Sequence, residues 1–305
     1  MASHIEPKLK DNPKISIGLP IYNAEQFIKK KIDSILAQTY KNFELIISNN
    51  SSTDATRKIC EEYARKDVRI RYIHQKKNMG LIWNLNFVLQ QANSDYFVWT
   101  AVDDIMLPEF LEKNLNVLLS KKIVVGCMSE QMVYGIKNDR FKKINTSLKK
   151  IGLAFRPHSH FPISGSYEKK VRLFLKKLPW HLFFGVYRTD ALRKSYVTKE
   201  MVGVDGAYIL NVLRFGDIDV VNEVLFKSYA SGTQSRGMMY SAKQFNKTFM
   251  GKIFPYYPLT IYCAKRLGFK VFIKNLDLFL RLNFDGEFLL VVDLLRYLKK
   301  SIFYK

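Results

Sequence analysis

Cysteine and histidine are scarce in this chain, whose 305 residues include three cysteines and five histidines. Cys60, Cys127 and Cys263 are far apart, and neither residue type shows the spacing of a zinc site or a redox pair. The sequence therefore predicts no disulfide framework, and a reducing compartment is the simpler interpretation.

Long apolar runs are also missing. No run approaches the roughly 20 residues that a membrane-spanning helix needs, and no charged segment followed by an apolar one opens the chain. We therefore expect neither a membrane span nor an export signal. Residues 1–13 are polar and irregular, and we assign them to a tail outside the predicted fold.

Acidic residues are outnumbered by basic ones, 27 to 49, which gives a formal net charge of +22. This excess favours an anionic partner, and nucleic acid, acidic lipid and nucleotide substrates all qualify. The charge is spread through predicted helices and no nucleic-acid-binding motif is evident, so nucleic acid is the least favoured of the three. A hydrophobic content of 48% is typical of a folded protein.

The first hundred residues alternate between strand and helix patterns. Strands are predicted at residues 15–20, 42–48, 70–74 and 96–102, with helices at 24–38, after Asp54 and at 81–92. Repeated βα units of this length predict an α/β fold with a parallel, doubly wound sheet. A nucleotide is expected at the carboxyl edge of such a sheet.

The strand at 96–102 runs directly into two aspartates, Asp103 and Asp104. Adjacent carboxylates at this edge indicate a divalent cation such as Mg²⁺ or Mn²⁺, which takes oxygen ligands and completes its shell with water and substrate phosphate. The alternative is a helix-capping role, because Pro108 and Glu109 open a predicted helix.

The pattern changes in the second half of the chain. Beyond residue 120 the sequence predicts strands at 123–134, 181–188 and 217–228, helices at 167–178 and 204–215, and a long loop at 145–165. From residue 244 onward the pattern is helical, which we interpret as a helical appendage.

With its motifs in order, the chain resembles the family 2 glycosyltransferases over roughly residues 14–236. The motifs are Leu19-Pro20-Ile21-Tyr22-Asn23, Ser34-Ile35-Leu36-Ala37-Gln38-Thr39-Tyr40, Phe43-Glu44-Leu45-Ile46-Ile47, Asn50-Ser51-Ser52-Thr53-Asp54 and Asp103-Asp104. The resemblance implies a GT-A fold, with a Rossmann-like, mostly parallel sheet flanked by helices. It divides the catalytic domain into a nucleotide-sugar-binding half (14–120) and an acceptor half (121–236), followed by a C-terminal helical region (237–305).

The resemblance also implies roles for residues of the first half. Pro20 and Tyr22 would contact the base of the nucleotide, with the Tyr22 ring stacking on it. Asn49 stands where the family usually has an aspartate that accepts the ring N–H of the base. Asp103 would contact the ribose or the metal, and Asp104 would be the main ligand of Mn²⁺ or Mg²⁺.

Asp205, in Gly203-Val204-Asp205, resembles the catalytic base of the family's acceptor site. Its carboxylate would take the proton of the acceptor hydroxyl as the oxygen attacks the anomeric carbon, with inversion. A helix N-cap is the alternative, and one residue can serve both roles.

Two further segments resemble family motifs near the acceptor. Gly185 would admit close approach of backbone or sugar, and Arg188 belongs to the same motif. Ser235 and Arg236 belong to a loop that would approach phosphate or acceptor. Relatives often carry a metal-binding histidine just before that loop, where this chain has Tyr229, so the third protein ligand is missing or comes from elsewhere.

The sequence thus predicts a metal-dependent, inverting glycosyltransferase that uses a nucleotide diphosphate sugar and a glycan or lipid-linked acceptor in surface polysaccharide or glycoconjugate synthesis. The absence of Gln-x-x-Arg-Trp predicts single transfers. A catalytically inactive, membrane-bound scaffold is the alternative.

We expect a cytoplasmic protein, located at the cytoplasmic face of a membrane if its basic helices bind anionic lipid. The helix at 167–178 and the basic segment at 296–300 suit such a surface, although they would equally suit packing on the catalytic domain.

Overall fold

The structure, a computed structural model, describes residues 12–135, 161–230 and 237–303, with side chains up to residue 298. Ser235 and Arg236 lie outside the described residues, as do nearly all of the predicted tail and most of the predicted loop at 145–165.

Eight strands form one mixed sheet in the order β3-β2-β1-β4-β7-β6-β8-β5. The strands are β1 (Ile15–Ile21), β2 (Phe43–Asn49), β3 (Ile70–His74), β4 (Tyr96–Trp99), β5 (Ile105–Met106), β6 (Val124–Tyr134), β7 (Val186–Arg188) and β8 (Asp217–Tyr229). Strands β1 to β4 pair in parallel, as does β6 with β8, whereas β7 and β5 pair antiparallel to their neighbours. The predicted sheet flanked by helices is confirmed.

Helices cover the sheet and form the C-terminal region. They are α1 (Ile28–Leu36), α2 (Thr56–Lys66), α3 (Leu81–Gln90), α4 (Phe110–Ser120), α5 (Tyr167–Lys177), a 3₁₀ helix (Trp180–Phe184), α6 (Thr189–Lys194), α7 (Val204–Val212), α8 (Met238–Phe245), α9 (Phe249–Ile253), α10 (Tyr257–Arg266), α11 (Phe269–Ile273) and α12 (Leu276–Phe303). In the part of the chain that the structure describes, no helix is long and apolar enough to cross a membrane.

Side-chain burial explains why the first half forms parallel strands. Every residue of β2 and β4 is buried, as expected for strands covered by helices on both faces. Helix α1 packs its apolar face on the sheet with Ile28, Ile32 and Ile35, which follow the helical period. The predicted strand at 96–102 is shorter in the structure, so the two aspartates lie in a turn beyond β4.

The prediction of a strand at residues 181–188 is wrong for the first half of that range. Residues Trp180–Phe184 form a 3₁₀ helix, and only Val186–Arg188 form a strand. The Phe183 ring stacks on Trp99 at the end of β4, with centroids 4.6 Å apart, and Tyr208 of α7 packs on the same indole at 5.1 Å. This aromatic cluster brings the first turns of α7 to the carboxyl end of β4.

Gly185 lies against a neighbouring backbone segment, which is one of its two predicted roles, whereas Arg188 packs inside the sheet, away from its predicted contact with phosphate or acceptor. The Arg188 guanidinium donates hydrogen bonds to the backbone oxygens of Val124 and Leu118, at 3.0 and 2.7 Å. Arg188 pairs with Tyr96, the first residue of β4, and therefore lies at the opposite edge of the sheet from the aspartates. Gly185 is buried against the backbone of β6.

Replacing Gly185 with alanine should destabilise the protein. A Cβ atom there would lie 2.6 Å from the backbone oxygen of Cys127, and a strand in the middle of a sheet cannot easily move away. We expect Gly185→Ala to lower the free energy of unfolding by about 1–3 kcal/mol in chemical denaturation. An unchanged free energy of unfolding would show that the two backbone segments do not depend on this close approach.

Candidate active site

The two predicted metal ligands lie just past β4. Asp104 is buried, with 5% of its surface exposed, and Asp103 is partly buried. The chain then turns into β5, whose Ile105 and Met106 pair with Lys227 and Phe226 of β8. This pairing brings the last residues of β8 against the aspartates.

The end of β8 holds the Asp104 carboxylate. Its Oδ1 accepts a hydrogen bond from the Tyr229 backbone N–H at 3.0 Å and one from the Ser228 hydroxyl at 3.2 Å. Tyr229 stands where the sequence comparison expected a histidine ligand, and it contacts Asp104 through its backbone.

Tyr134, at the end of β6, supports the neighbouring residue and was missed by sequence reasoning. Its hydroxyl donates a hydrogen bond to the Asp103 backbone oxygen at 2.6 Å. Its ring packs on Tyr229, which in turn packs on Phe27, each pair with centroids 5.3 Å apart. No sequence motif marks a tyrosine in this role, because the three rings meet only in the folded chain.

Lys31 is the second residue that sequence reasoning missed. It lies on α1, is 1% exposed, and donates a hydrogen bond from Nζ to the Asp104 backbone oxygen at 3.0 Å. A signal was available, because Lys31 falls between Ile28 and Ile32 on the apolar face of the predicted helix. A charged residue on that face is seldom buried without a partner.

Burial shifts the pKa values of these groups toward their neutral forms. It raises the pKa of Asp104 to about 6, assisted by the Asp103 charge and opposed by Lys31 and the hydrogen bonds from β8. Burial likewise raises the pKa of Asp103. It lowers the pKa of Lys31 to about 8, opposed by the two aspartates. At neutral pH Asp104 is therefore ionised and Lys31 protonated.

The chemistry of this carboxylate pair suits Mg²⁺ or Mn²⁺. Both ions prefer oxygen ligands and complete their shell with water and substrate phosphates, so two aspartates fit them when a diphosphate is bound. Among the described residues there is no group of three or more histidine, cysteine, aspartate or glutamate side chains that could hold a metal ion. The pair therefore depends on the substrate to complete a metal site.

The residues predicted to bind the base lie at the same edge of the sheet. Asn49 is the last residue of β2 and Pro20 the next-to-last residue of β1, and Tyr22 follows β1 with 50% of its surface exposed. Asn49 is fully buried, and its amide is used within the protein: Oδ1 accepts from the Ser52 N–H and Nδ2 donates to the Tyr72 hydroxyl, both at 2.9 Å. The structure thus gives Asn49 a role in holding the β2 loop, and its contact with a base stays a prediction.

Asp205 lies in the first turn of α7 but is not its N-cap. The N-cap is Gly203, in the left-handed conformation that glycine favours, with φ +80°. The Asp205 carboxylate accepts a hydrogen bond from the Gly206 N–H at 2.9 Å. Burial raises the pKa of Asp205 to about 6. Burial raises the pKa of Tyr256, and the charge of Asp205 adds to this effect. The Tyr256 phenol, which belongs to the C-terminal region, therefore lies near the Asp205 carboxylate.

A cleft of about 510 Å³ lies between α3, the loop before α7, the loop between α8 and α9, and α10. Aromatic rings and polar side chains share its lining, among them Trp83, Asn86, Tyr196, Glu200, Lys247 and Tyr257. The backbone N–H of Val202, just before Gly203, donates to Asn246 of the same lining at 3.1 Å. The cleft therefore adjoins the segment that carries Asp205.

Comparisons with known proteins show the family and the fold of the chain. A family model described as Glycosyl transferase family 2 matches residues 16–194. An uncharacterized glycosyltransferase of Rickettsia typhi is 33% identical over 163 residues, which cover 50% of this chain and 49% of the relative. The chain thus spans about half the length of this relative, and less of the next two relatives it matches.

Two solved structures share the fold. TarS 1–349 of S. aureus, in complex with UDP-GlcNAc, superposes with a TM-score of 0.56 at 16% identity, over 87% of this chain and 80% of that chain. Mannosyltransferase PcManGT of Pyrobaculum calidifontis, in complex with GDP-Man and Mn²⁺, gives a TM-score of 0.56 at 13% identity, over 97% and 89%. The expected GT-A fold is confirmed.

Replacing Asp104 with asparagine should abolish the contribution of Mn²⁺ to nucleotide binding. The amide keeps the shape of the side chain but removes the charge that would bind a cation. We expect calorimetric titration with UDP and GDP to show the Mn²⁺-dependent affinity weakened about 100-fold or more, since even the partners of metal ligands matter about 10–100-fold.

Asp95→Asn is the matched control, because Asp95 precedes β4 at the other edge of the sheet and is exposed. Equal Mn²⁺-dependent binding by wild type and Asp104→Asn would remove Asp104 from the set of metal ligands.

Proposed function

The chain belongs to glycosyl transferase family 2, and we propose that it transfers single sugars from a nucleotide diphosphate sugar to a glycan or lipid-linked acceptor, with inversion and with a divalent cation. The observation that carries this proposal is the pair of carboxyl sites beside the end of β4. Asp104 with Asp103 suits the donor diphosphate, and Asp205 on α7 suits the acceptor.

Asp103 and Asp104 would hold Mn²⁺ or Mg²⁺ against the diphosphate of the donor. The cation would offset the negative charge that grows on the nucleoside diphosphate as the glycosidic bond breaks. The residues themselves bind and orient: the hydrogen bonds from Tyr229 and Ser228 fix the Asp104 carboxylate, and Tyr134 fixes the backbone of the turn. Pro20 and Tyr22 would position the base at the end of β1.

Asp205 would act as the general base. A carboxylate with a pKa of about 6 is ionised at neutral pH, yet more basic than an ordinary aspartate. It would accept the proton of the acceptor hydroxyl while that oxygen bonds to the anomeric carbon and the diphosphate oxygen leaves from the opposite face. One such displacement inverts the anomeric configuration.

The cleft next to the loop that precedes α7 suits the acceptor, although Asp205 itself is not among its lining residues. Its volume of about 510 Å³ lies within the usual range for small-ligand sites, and its aromatic and polar lining is typical of them. The loop between α8 and α9 and helix α10 line one side, so we propose that the C-terminal region contributes to acceptor choice. Surface polysaccharide or glycoconjugate synthesis is the process that such an acceptor would serve.

The Asp205→Asn variant tests the proposed function. We expect it to bind UDP or GDP with Mn²⁺ as the wild type does, and to turn over a panel of UDP- and GDP-sugars about 10²–10⁴-fold more slowly, because an amide cannot accept the proton. With Mn²⁺ and donor saturating, so that the bound cation keeps Asp104 ionised, the wild-type rate should rise about tenfold per pH unit up to about pH 6 and then level off, as Asp205 loses its proton.

Asp190→Asn is the control, since Asp190 also lies in the first turn of a helix but is exposed. Transfer by Asp205→Asn at the wild-type rate would exclude Asp205 as the base. Metal-dependent nucleotide binding by a wild-type protein that turns over none of the sugars would instead favour the inactive scaffold.

We also propose that the C-terminal region docks on an anionic membrane surface at the cytoplasmic side. Phe269 on α11 is 80% exposed, and α12 exposes Leu280 and Phe284 by 64% and 66% on one face. Lys270 and Arg281 flank these apolar side chains. Such a surface suits an anionic bilayer, because the apolar side chains can enter the acyl region and the basic side chains can contact the lipid headgroups.

Replacing Phe269 with serine should weaken membrane binding. We expect the wild type to sediment with phosphatidylcholine vesicles that contain phosphatidylglycerol and to bind pure phosphatidylcholine weakly. Phe269→Ser should lower the partition coefficient about tenfold, because one large apolar side chain no longer enters the bilayer. Val68→Ser is the control, since Val68 is a fully exposed apolar residue on the catalytic domain. Equal losses for both variants, or no binding to anionic vesicles, would contradict the proposal.

A further inference from the structure

Lys31 is a buried cation for which the proposed reaction has no direct use. Its side chain is 1% exposed, and α1 packs it into the core between Ile28 and Ile32. Nζ donates to the Asp104 backbone oxygen, so the ammonium group lies under the turn that carries both carboxylates. Burying a lysine is costly, and such residues usually persist where a neighbouring negative charge or a function compensates.

We infer that Lys31 is a positioning residue that prevents the nucleotide-free carboxylate pair from holding a divalent cation, so that the cation and the nucleotide diphosphate bind together. This inference rests on the proposed function. Asp103 and Asp104 carry two negative charges and Lys31 one positive charge, which leaves a net charge of −1 for a cation to bind. A bound diphosphate adds at least two negative charges, which makes the net charge −3 or more negative and favours a divalent cation.

The location of Lys31 makes its charge effective. A charge inside the protein is weakly screened by water and salt, so it acts on a cation at the pair more strongly than a surface lysine would. Lys29 and Lys30 lie on the same helix but are exposed. The hydrogen bond to the Asp104 backbone and the surrounding core hold the ammonium group below the turn. Lys31 therefore acts through the carboxylates and does not reach out to the phosphates.

A purely structural role is the competing explanation. In that case Lys31 would compensate the buried aspartates during folding, and its loss would weaken every ligand of the site alike. The inference predicts opposite changes for two ligands, because removal of a positive charge favours a cation and disfavours an anion. Measuring both ligands separates the two explanations.

The experiment compares Lys31→Met, Lys31→Arg and Lys29→Met with the wild type at pH 7. Mn²⁺ is titrated into nucleotide-free protein and the free ion is measured by electron paramagnetic resonance. We expect Lys31→Met to bind Mn²⁺ about tenfold more tightly than the wild type, and to bind metal-free UDP or GDP a few-fold more weakly. Lys31→Arg keeps the charge and Lys29→Met removes an exposed one, so both should resemble the wild type.

Two results would overturn the inference: Mn²⁺ affinity in Lys31→Met that is unchanged or weaker, or equal tightening in Lys29→Met. If circular dichroism shows Lys31→Met to be unfolded, Lys31→Gln is measured in its place, since a polar amide can still donate to the Asp104 backbone. Because Mn²⁺ alone is the main probe, tighter binding by Lys31→Met would support the inference even if the wild type showed no metal-dependent nucleotide binding. That second result would count against the proposed function alone.

Discussion

Burial of negative charge beyond β4 is the constraint on which the site depends. A carboxylate with 5% of its surface exposed, as Asp104 has, loses most of its hydration and needs compensation from the protein. The compensation comes from two elements that are distant in the sequence, Lys31 on α1 and residues 228–229 at the end of β8, while Tyr134 at the end of β6 holds the backbone of the turn. The acidic turn is therefore stable only when both halves of the sheet are joined.

Packing between the two halves of the sheet also determines the position of Asp205, the proposed base. Trp99 ends β4 in the parallel half, and its indole packs on Phe183 and Tyr208, which come from the second half. Tyr208 lies one turn after Asp205 on α7, so packing of the aromatic core determines where this carboxylate lies. Tyr256 adds a contact from the C-terminal region, because its ring stacks on Trp180 beside Gly203. Donor and acceptor residues are thus linked by a continuous apolar core.

Local patterns in the sequence predicted the parts of this architecture that depend on neighbouring residues. The βα alternation, the acidic pair and the start of α7 at Val204 all follow from short-range periodicity or spacing. Lys31 and Tyr134 were not found, because their roles depend on residues about 70 and 30 positions away. For Arg188 a local motif was misleading. The motif predicted a contact with phosphate or acceptor, but the antiparallel pairing of β7 with β4 places Arg188 at the opposite edge of the sheet from the aspartates.

Burial raises the pKa of both Asp104 and Asp205, but the raised pKa has a different consequence at each residue. Burial raises the pKa of Asp104 from its ordinary value of 3.8 to about 6, which corresponds to about 3 kcal/mol of folding free energy. Because the folded state holds the proton more tightly, this stability is present below about pH 4 and is lost as the pH rises through 6. At neutral pH the folded protein therefore holds an ionised aspartate at a cost, which a bound cation would offset.

Asp205 uses the same shift differently. Burial has the largest effect on the pKa of Asp205 and raises it. The hydrogen bond that its carboxylate accepts from the Gly206 N–H acts in the opposite direction but is weaker. A cation bound at the first site would lower the proton affinity of Asp104, whereas the basicity of Asp205 is what proton transfer from an acceptor requires. Burial thus raises the pKa of both aspartates, but the proposed roles differ, charge compensation for Asp104 and base catalysis for Asp205, because Lys31 lies beneath the turn that carries Asp104.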